Sequence, residues 1–256
     1  MLLAIDLENR YTNFGVFNKD KLIFNFKIKT DIYRSSDELY LIIKNMLNEV
    51  IDLKNIDDVI ISCVVPDFLY TFKNAIKKLL NKDPYILGVG IKTGINIKCE
   101  NPKEVGSDRI MRAVGAVKDN KNVIVINFSD VVTIDIVNGK REFLGGVIFP
   151  GIKILRDSLC LESSLLPKVE IEKPTNIIGN RTIKSIQSGI YYQSICALEG
   201  VVSRIKKEFK NINVVITGNF AKYIEKEVNF NYELVENLGL IGLNTIYKNI
   251  KKANES

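Results

Sequence analysis

Leu2-Leu3-Ala4-Ile5-Asp6-Leu7-Glu8-Asn9-Arg10-Tyr11-Thr12-Asn13-Phe14-Gly15-Val16-Phe17 opens the chain. Residues 2–7 alternate too little for a half-exposed strand, which predicts a central strand covered on both faces. The run closes through Asp6 into a polar turn, and residues 13–18 leave that turn as a second strand. Asn18-Lys19-Asp20 then folds a hairpin onto a third strand over 21–29. The pattern restarts at Asn122: a strand Val123–Asn127, a polar turn Phe128-Ser129-Asp130, and a strand Val131–Val137. Asn138-Gly139-Lys140 is a hairpin signal, and Glu142–Ile148 is the third strand. Ile5-Asp6-Leu7-Glu8 thus stands against Ile126-Asn127-Phe128-Ser129, an internal duplication at domain scale.

Between and after these openings the chain alternates strands with helices. Ser35-Ser36-Asp37 caps a helix whose apolar positions Leu39, Ile42, Ile43, Met46, Leu47 and Val50 share one face. Val59–Val65 reads as a buried strand, the next helix carries Phe68, Leu69, Phe72, Ile76 and Leu79, and Tyr85–Gly90 reads as a strand. Asn101-Pro102 opens a loop, and Asp108 begins a helix through Val117. Pro150-Gly151 leads a helix through Cys160, Thr182 begins a long helix to about Phe209, Val214–Thr217 is a strand, Gly218-Asn219 a turn, and Leu238–Ile250 a closing helix. The pattern predicts an α/β protein of two lobes, residues 1–118 and 119–256, whose opening turns face a shared cleft.

Composition narrows the chemistry. Of 256 residues, 46% are hydrophobic and 26% charged, ordinary for a globular protein. The net charge of +6 comes from scattered lysines without aromatic residues interleaved, which argues against a nucleic-acid surface and for a solvated one. With no histidine, a Cys/His zinc site and a histidine-based triad are both excluded. Cys63, Cys99, Cys160 and Cys196 stand too far apart for metal-ligand spacing, and Cys63 and Cys196 read as buried small apolar residues. No basic leader and no membrane-length apolar run is visible, so a cytoplasmic protein is expected.

Several segments carry a family resemblance. They are Leu2–Phe17, Ile60-Ile61-Ser62-Cys63-Val64-Val65-Pro66 and Gly88-Val89-Gly90-Ile91-Lys92-Thr93-Gly94, then Asn101–Ile110, Leu144–Ile152 and Ser185–Tyr192. Over nearly its whole length the chain resembles type III pantothenate kinase. That resemblance implies two duplicated ribonuclease H-like lobes of the actin-like ATPase superfamily with a cleft between them. It implies ATP-dependent phosphorylation of pantothenate, the first step of coenzyme A biosynthesis, with Mg²⁺ and a monovalent cation (K⁺ or NH₄⁺) near the phosphates. A homodimer, or a heterodimer with a related kinase, is the implied assembly.

By the same resemblance Gly106, Ser107, Asp108 and Arg109 bind substrate, with Asp108 the proton acceptor, and Thr182 and Cys99 fall at further substrate positions. Asp6, Glu8, Asn9 and Arg10 occupy the first phosphate loop, Ser129 and Asp130 the second, Gly218 and Asn219 the adenosine side, and Asn127 the cation position. Bland readings stand beside two of these: Asp108 and Thr182 are also good helix caps.

The departures from the family pattern cluster in the loops. Glu8 replaces a glycine, Arg10 a threonine, Asn127 an aspartate, Ser129 a glycine, Asp130 a threonine, and Asn219 the second of two glycines. A phosphate cradle needs inward backbone N–H groups with no side chain in the way, so Glu8 and Asp130 oppose ATP by bulk and charge. If the turns face each other, Arg10 pairs with Asp130 or Glu8 and fills the phosphate space. The expectation is an impaired or non-catalytic paralogue that acts as a binding or regulatory subunit. The alternative is an active pantothenate kinase that tolerates the altered loops.

Overall fold

Every residue of β1 (Leu2–Leu7) is buried in the computed structural model, which describes residues 1–88, 90–118 and 120–255. Its side chains divide between two cores, as the period of a strand requires. Leu3, Ile5 and Leu7 pack on one face, and Leu2 and Ala4 on the other. β1 pairs antiparallel with β2 (Tyr11–Asn18), which pairs with β3 (Lys21–Lys29). On its other side β1 runs parallel to β4 (Asp58–Cys63), which pairs with β5 (Tyr85–Ile86). The expected strand over Tyr85–Gly90 is therefore short, and Val89, in that expectation and in one of the resembling segments, lies outside the described residues. A further short strand, β6, covers Asn96–Ile97.

α1 (Ser36–Asn48) starts at Ser35, whose hydroxyl accepts from the Glu38 N–H while Glu38 accepts from the Ser35 N–H. This reciprocal pair satisfies two otherwise orphaned donors. Leu39, Ile43 and Leu47 of α1 join Phe68, Phe72 and Ile76 of α2 (Pro66–Leu80) over the Leu3–Ile5–Leu7 face. α3 spans Ser107–Ala116.

The second opening repeats the first. β7 (Asn122–Phe128) pairs antiparallel with β8 (Val131–Val137), and β8 with β9 (Glu142–Pro150). After α4 (Ile152–Glu162) and α5 (Thr182–Glu208), β10 (Ile212–Thr217) returns parallel to β7. α6 (Ala221–Ile224) and β11 (Glu233–Leu234) follow, with β11 parallel to β10. The order β9-β8-β7-β10-β11 matches β3-β2-β1-β4-β5 strand for strand. Ile186, Ile190, Ile195, Leu198 and Val202 of α5 cover Ile124, Ile126 and Phe128 of β7.

The chain thus forms two units, Met1–Ala116 with Asn237–Ser256, and Val117–Glu236. The closing helix α7 (Leu238–Glu255), placed by sequence with the second lobe, packs in the first unit. Its Leu240, Leu243, Ile246 and Ile250 meet Leu2, Ala4, Met111 and Val114. α3 and α7 approach backbone to backbone: a β-carbon on Gly242 would lie 1.8 Å from the Met111 carbonyl oxygen. Two cysteine expectations are corrected. Cys63 is half-buried and Cys196 is exposed, because the apolar stripe of α5 turns Cys196 outward while Ile195 and Leu198 face the core. Among the described residues no helix is long and apolar enough to cross a membrane.

Candidate functional site

The first candidate site is built on the end of β1. The turn after it uses its own polar groups: the Glu8 N–H donates to the Tyr11 carbonyl at 3.2 Å. Thr30, just past β3, donates its hydroxyl to the Glu8 carbonyl at 2.7 Å and its N–H to the Arg10 carbonyl at 2.9 Å. The Glu8 amide is therefore spent within the turn. Asn9 is exposed at the tip, and the Arg10 guanidinium lies 5.6 Å from the centre of the Tyr11 ring.

α3 brings the second set of residues to the same place. The Ser107 hydroxyl donates to the Cys63 carbonyl at 3.2 Å and lies 2.9 Å from the Ser62 hydroxyl. This fastens the start of α3 to the end of β4, the neighbour of β1. Gly106, Ser107, Asp108 and Arg109 are all half-buried there. Asp108 lies in the first turn of α3, where its charge suits the helix N-terminus.

One turn later stands Arg112, whose side chain is 5% exposed. Its Nη1 donates to Asp108 Oδ2 at 2.7 Å, and its Nη2 donates to Glu8 Oε1. Glu8 thus pairs with a residue outside the expected Arg10 latch. Asp6 is 5% exposed, and its Oδ1 has no hydrogen-bond partner among the described residues. Burial and the neighbouring Glu8 hold the Asp6 carboxyl well above the usual range, with Arg112 opposing. Burial works against the Arg112 charge, but Glu8, Asp108 and Asp6 outweigh it and raise its pKa. Two like charges about 4 Å apart repel by roughly 4 kcal/mol at an effective dielectric near 20. Arg112 meets Glu8 and Asp108 through separate nitrogens and so places a positive charge between them.

The second candidate site lies at the end of β7. Asn127, buried at 6% exposure, accepts at Oδ1 from the Ser129 hydroxyl at 3.0 Å. The Asn219 N–H donates to the Ser129 hydroxyl at 3.1 Å, and the Phe220 N–H donates to the Phe128 carbonyl at 2.9 Å. Gly218, at φ +114°, makes this closure possible: a β-carbon there would stand 2.5 Å from the Phe128 carbonyl oxygen and 2.7 Å from Asn127 Oδ1. The Asp130 carbonyl accepts from the Gly151 N–H at 2.8 Å. The turn and the β10 loop are thus joined by the Ser129 hydroxyl and by a backbone bond from Phe220 to Phe128.

The structure therefore assembles Asp6, Glu8 and Asp108 in the first unit and Asn127, Ser129, Gly218 and Asn219 in the second. Thr182 is the exposed first residue of α5, and Cys99 is half-buried in the loop after β6.

A family model described as type III pantothenate kinase matches residues 2–204. The chain belongs to the type III pantothenate kinase family. Two relatives bearing that name are similar end to end. The one from Syntrophotalea carbinolica is 37% identical over 250 residues, 96% of this chain and 98% of its own. The one from Halalkalibacterium halodurans is 38% identical over 251 residues, covering 97% and 99%. Among solved structures, a putative Baf family transcriptional activator from Campylobacter jejuni superposes with a TM-score of 0.58 at 18% identity, covering 98% of this chain and 99% of that one. MreB 5 of Spiroplasma citri bound to AMPPNP gives 0.54 at 12% identity, covering 99% and 98%. The fold is that of the actin-like ATPases and sugar kinases.

For a type III pantothenate kinase family member, the residue that sequence reasoning missed is Arg112. The signal available was a charge inside Ile110-Met111-Arg112-Ala113-Val114, where its four neighbours are buried, with an aspartate four residues before it. Such spacing also describes an ordinary exposed helical pair.

Proposed function

We propose that this chain is an impaired or non-catalytic paralogue of type III pantothenate kinase, acting as a binding or regulatory subunit in the cytoplasm. Its family reaction is ATP-dependent phosphorylation of pantothenate. Its partner is a second copy or an active relative. The observation that carries this reading is the engagement of Asp108, the candidate proton acceptor, by Arg112, which also holds Glu8 in the candidate phosphate turn.

A base that takes a proton from a substrate hydroxyl has to be within hydrogen-bond reach of it with a lone pair to spare. With Oδ2 of Asp108 already accepting from Arg112, that carboxylate has less lone-pair capacity left to meet a substrate hydroxyl. Phosphoryl transfer depends chiefly on positioning and charge stabilisation, and Glu8 sets a negative charge in a turn whose own amide is already donating to Tyr11. Loss at both the acceptor and the cradle multiplies.

The second reading, an active kinase that tolerates these loops, is favoured by the 37–38% identity that runs through the whole chain. ADP production dependent on pantothenate at millimolar ATP separates the two, and robust turnover sinks the first. Calorimetric titration with ATP and pantothenate is run beside it on a version carrying Glu8→Gly, Arg10→Thr, Asn127→Asp, Ser129→Gly and Asp130→Thr. The restored chain is expected to gain ATP affinity sharply.

A further inference from the structure

The family implies a divalent and a monovalent cation, and the residues present do not fit them. Asn127, at the position expected to meet the cation, is a neutral amide whose oxygen already accepts from Ser129. Glu8 and Asp108, the carboxylates on the first turn and α3, are both taken by one guanidinium. Among the described residues no cluster of three or more carboxylate or cysteine side chains is arranged to hold a metal ion. Hard cations need several oxygen ligands around one point, and here the oxygens point at Arg112.

We infer that Arg112 is a built-in cation: its guanidinium takes the charge-balancing place between the Glu8 and Asp108 carboxylates, so the first unit holds them together without any external ion. The placement is specific. Arg112 reaches from α3 to a turn 104 residues earlier in the chain and is itself 5% exposed on its side chain. A planar guanidinium serves two carboxylates through separate nitrogens, which an ammonium on a flexible stem does less well. Without it, two partly buried carboxylates, with the Asp6 carboxyl beside them, would face each other uncompensated.

The inference rests on reading Leu2–Phe17 as the family's first phosphate turn, and not on whether turnover survives. Robust turnover in the wild type would sink the proposed function and leave this inference standing. A wild type whose stability requires Mg²⁺ would do the reverse.

Thermal unfolding decides it, at constant ionic strength in tetramethylammonium, K⁺ or Mg²⁺ chloride. Three full-length proteins are compared: wild type, Arg112→Met, and Arg112→Met with Glu8→Gln. The wild type is expected to unfold at one temperature in all three salts. Arg112→Met is expected to lose about 6–15 °C in tetramethylammonium, the scale for orphaning a buried pair in a chain of this size, and to regain at least half of it in Mg²⁺. The double variant, with one carboxylate neutralised, is expected to recover without Mg²⁺ and to ignore it. The inference is overturned if wild type and Arg112→Met respond equally to Mg²⁺, or if Arg112→Met stays destabilised in every salt. It is overturned too if the double variant is no more stable than the single one, since Arg112 would then act through packing alone.

Discussion

Arg112 Nη1 donates to Asp108 Oδ2 at 2.7 Å, one helical turn along α3 and with the guanidinium almost wholly out of solvent. In an exposed helix such a pair is worth only about 0.3–0.5 kcal/mol. Here the same guanidinium also binds Glu8, so the three side chains act as a unit. A double-mutant cycle of Glu8→Gln and Asp108→Asn is therefore expected to be non-additive by about 1–2 kcal/mol. Urea unfolding midpoints measure it. Additivity within about 0.3 kcal/mol would mean that Arg112 serves the two carboxylates independently.

Asp6 gives a pH dependence of unusual sign. Burial first, then Glu8, raises its pKa in the folded chain above its unfolded value near 3.8. The folded state therefore binds the proton more tightly, and stability falls as pH rises from the unfolded pKa through the folded one. Below that window the penalty is absent, and above it the penalty is complete. Asp6→Asn is expected to remove this slope and to leave the protein more stable than wild type at pH 7. Unfolding free energies of both proteins between pH 4 and pH 8 test it. A wild type whose stability climbs through the window in parallel with the variant would contradict the sign.

Much of the fold was legible because two apolar strands carried their own punctuation. Leu2–Leu7 and Val123–Asn127 each end in a polar turn and a hairpin, and the duplicated strand order follows from that repetition. The assignment of α7 failed for a physical reason. The stripe Leu240, Leu243, Ile246 and Ile250 shows that the helix is covered on one side, not by what, and its partners Leu2, Ala4 and Met111 lie more than a hundred residues away. The same non-locality hid the centre of the first site. Glu8 reads as a charge that opposes a bound phosphate or pairs with Arg10, because no local pattern links it to Arg112.

Gly218 ties sequence to the closure of the second turn. Its φ of +114° is a conformation side chains rarely adopt, and an added β-carbon would stand 2.5 Å from the Phe128 carbonyl oxygen. Gly218→Ala is expected to cost about 2–4 kcal/mol, combining backbone strain with the clash. The Ser129–Asn219 bond would be lost with it. Chemical denaturation checks the cost. A loss under about 1 kcal/mol, or the gain of about 0.4–1 kcal/mol that Gly to Ala brings at an unstrained site, would show that the β10 loop can retreat from Phe128.

The last prediction concerns how α7 is anchored in the first unit. Tyr247 donates its hydroxyl to Asp58 Oδ2 at 2.6 Å, and Lys251 Nζ lies 2.9 Å from the same oxygen. Burial raises the Asp58 pKa, but the Tyr247 and Lys251 contacts outweigh it and leave the carboxyl below its ordinary 3.8. Burial and the hydrogen bond to Asp58 push the Tyr247 phenol up to about 12. A depressed carboxylate stabilises above its unfolded pKa and loses that stabilisation as pH falls through the folded one. A raised phenol behaves oppositely, losing its contribution as pH climbs from about 10 to about 12. Tyr247→Phe is thus expected to cost about 1 kcal/mol at pH 7, a modest figure because Asp58 remains partly exposed. It should also flatten both the acid and the alkaline limbs of the stability curve. Hydrogen exchange locates the effect: amides of α7 are expected to lose protection before those of β7. Equal loss in both would mean that the Asp58 contact does not anchor α7 in particular.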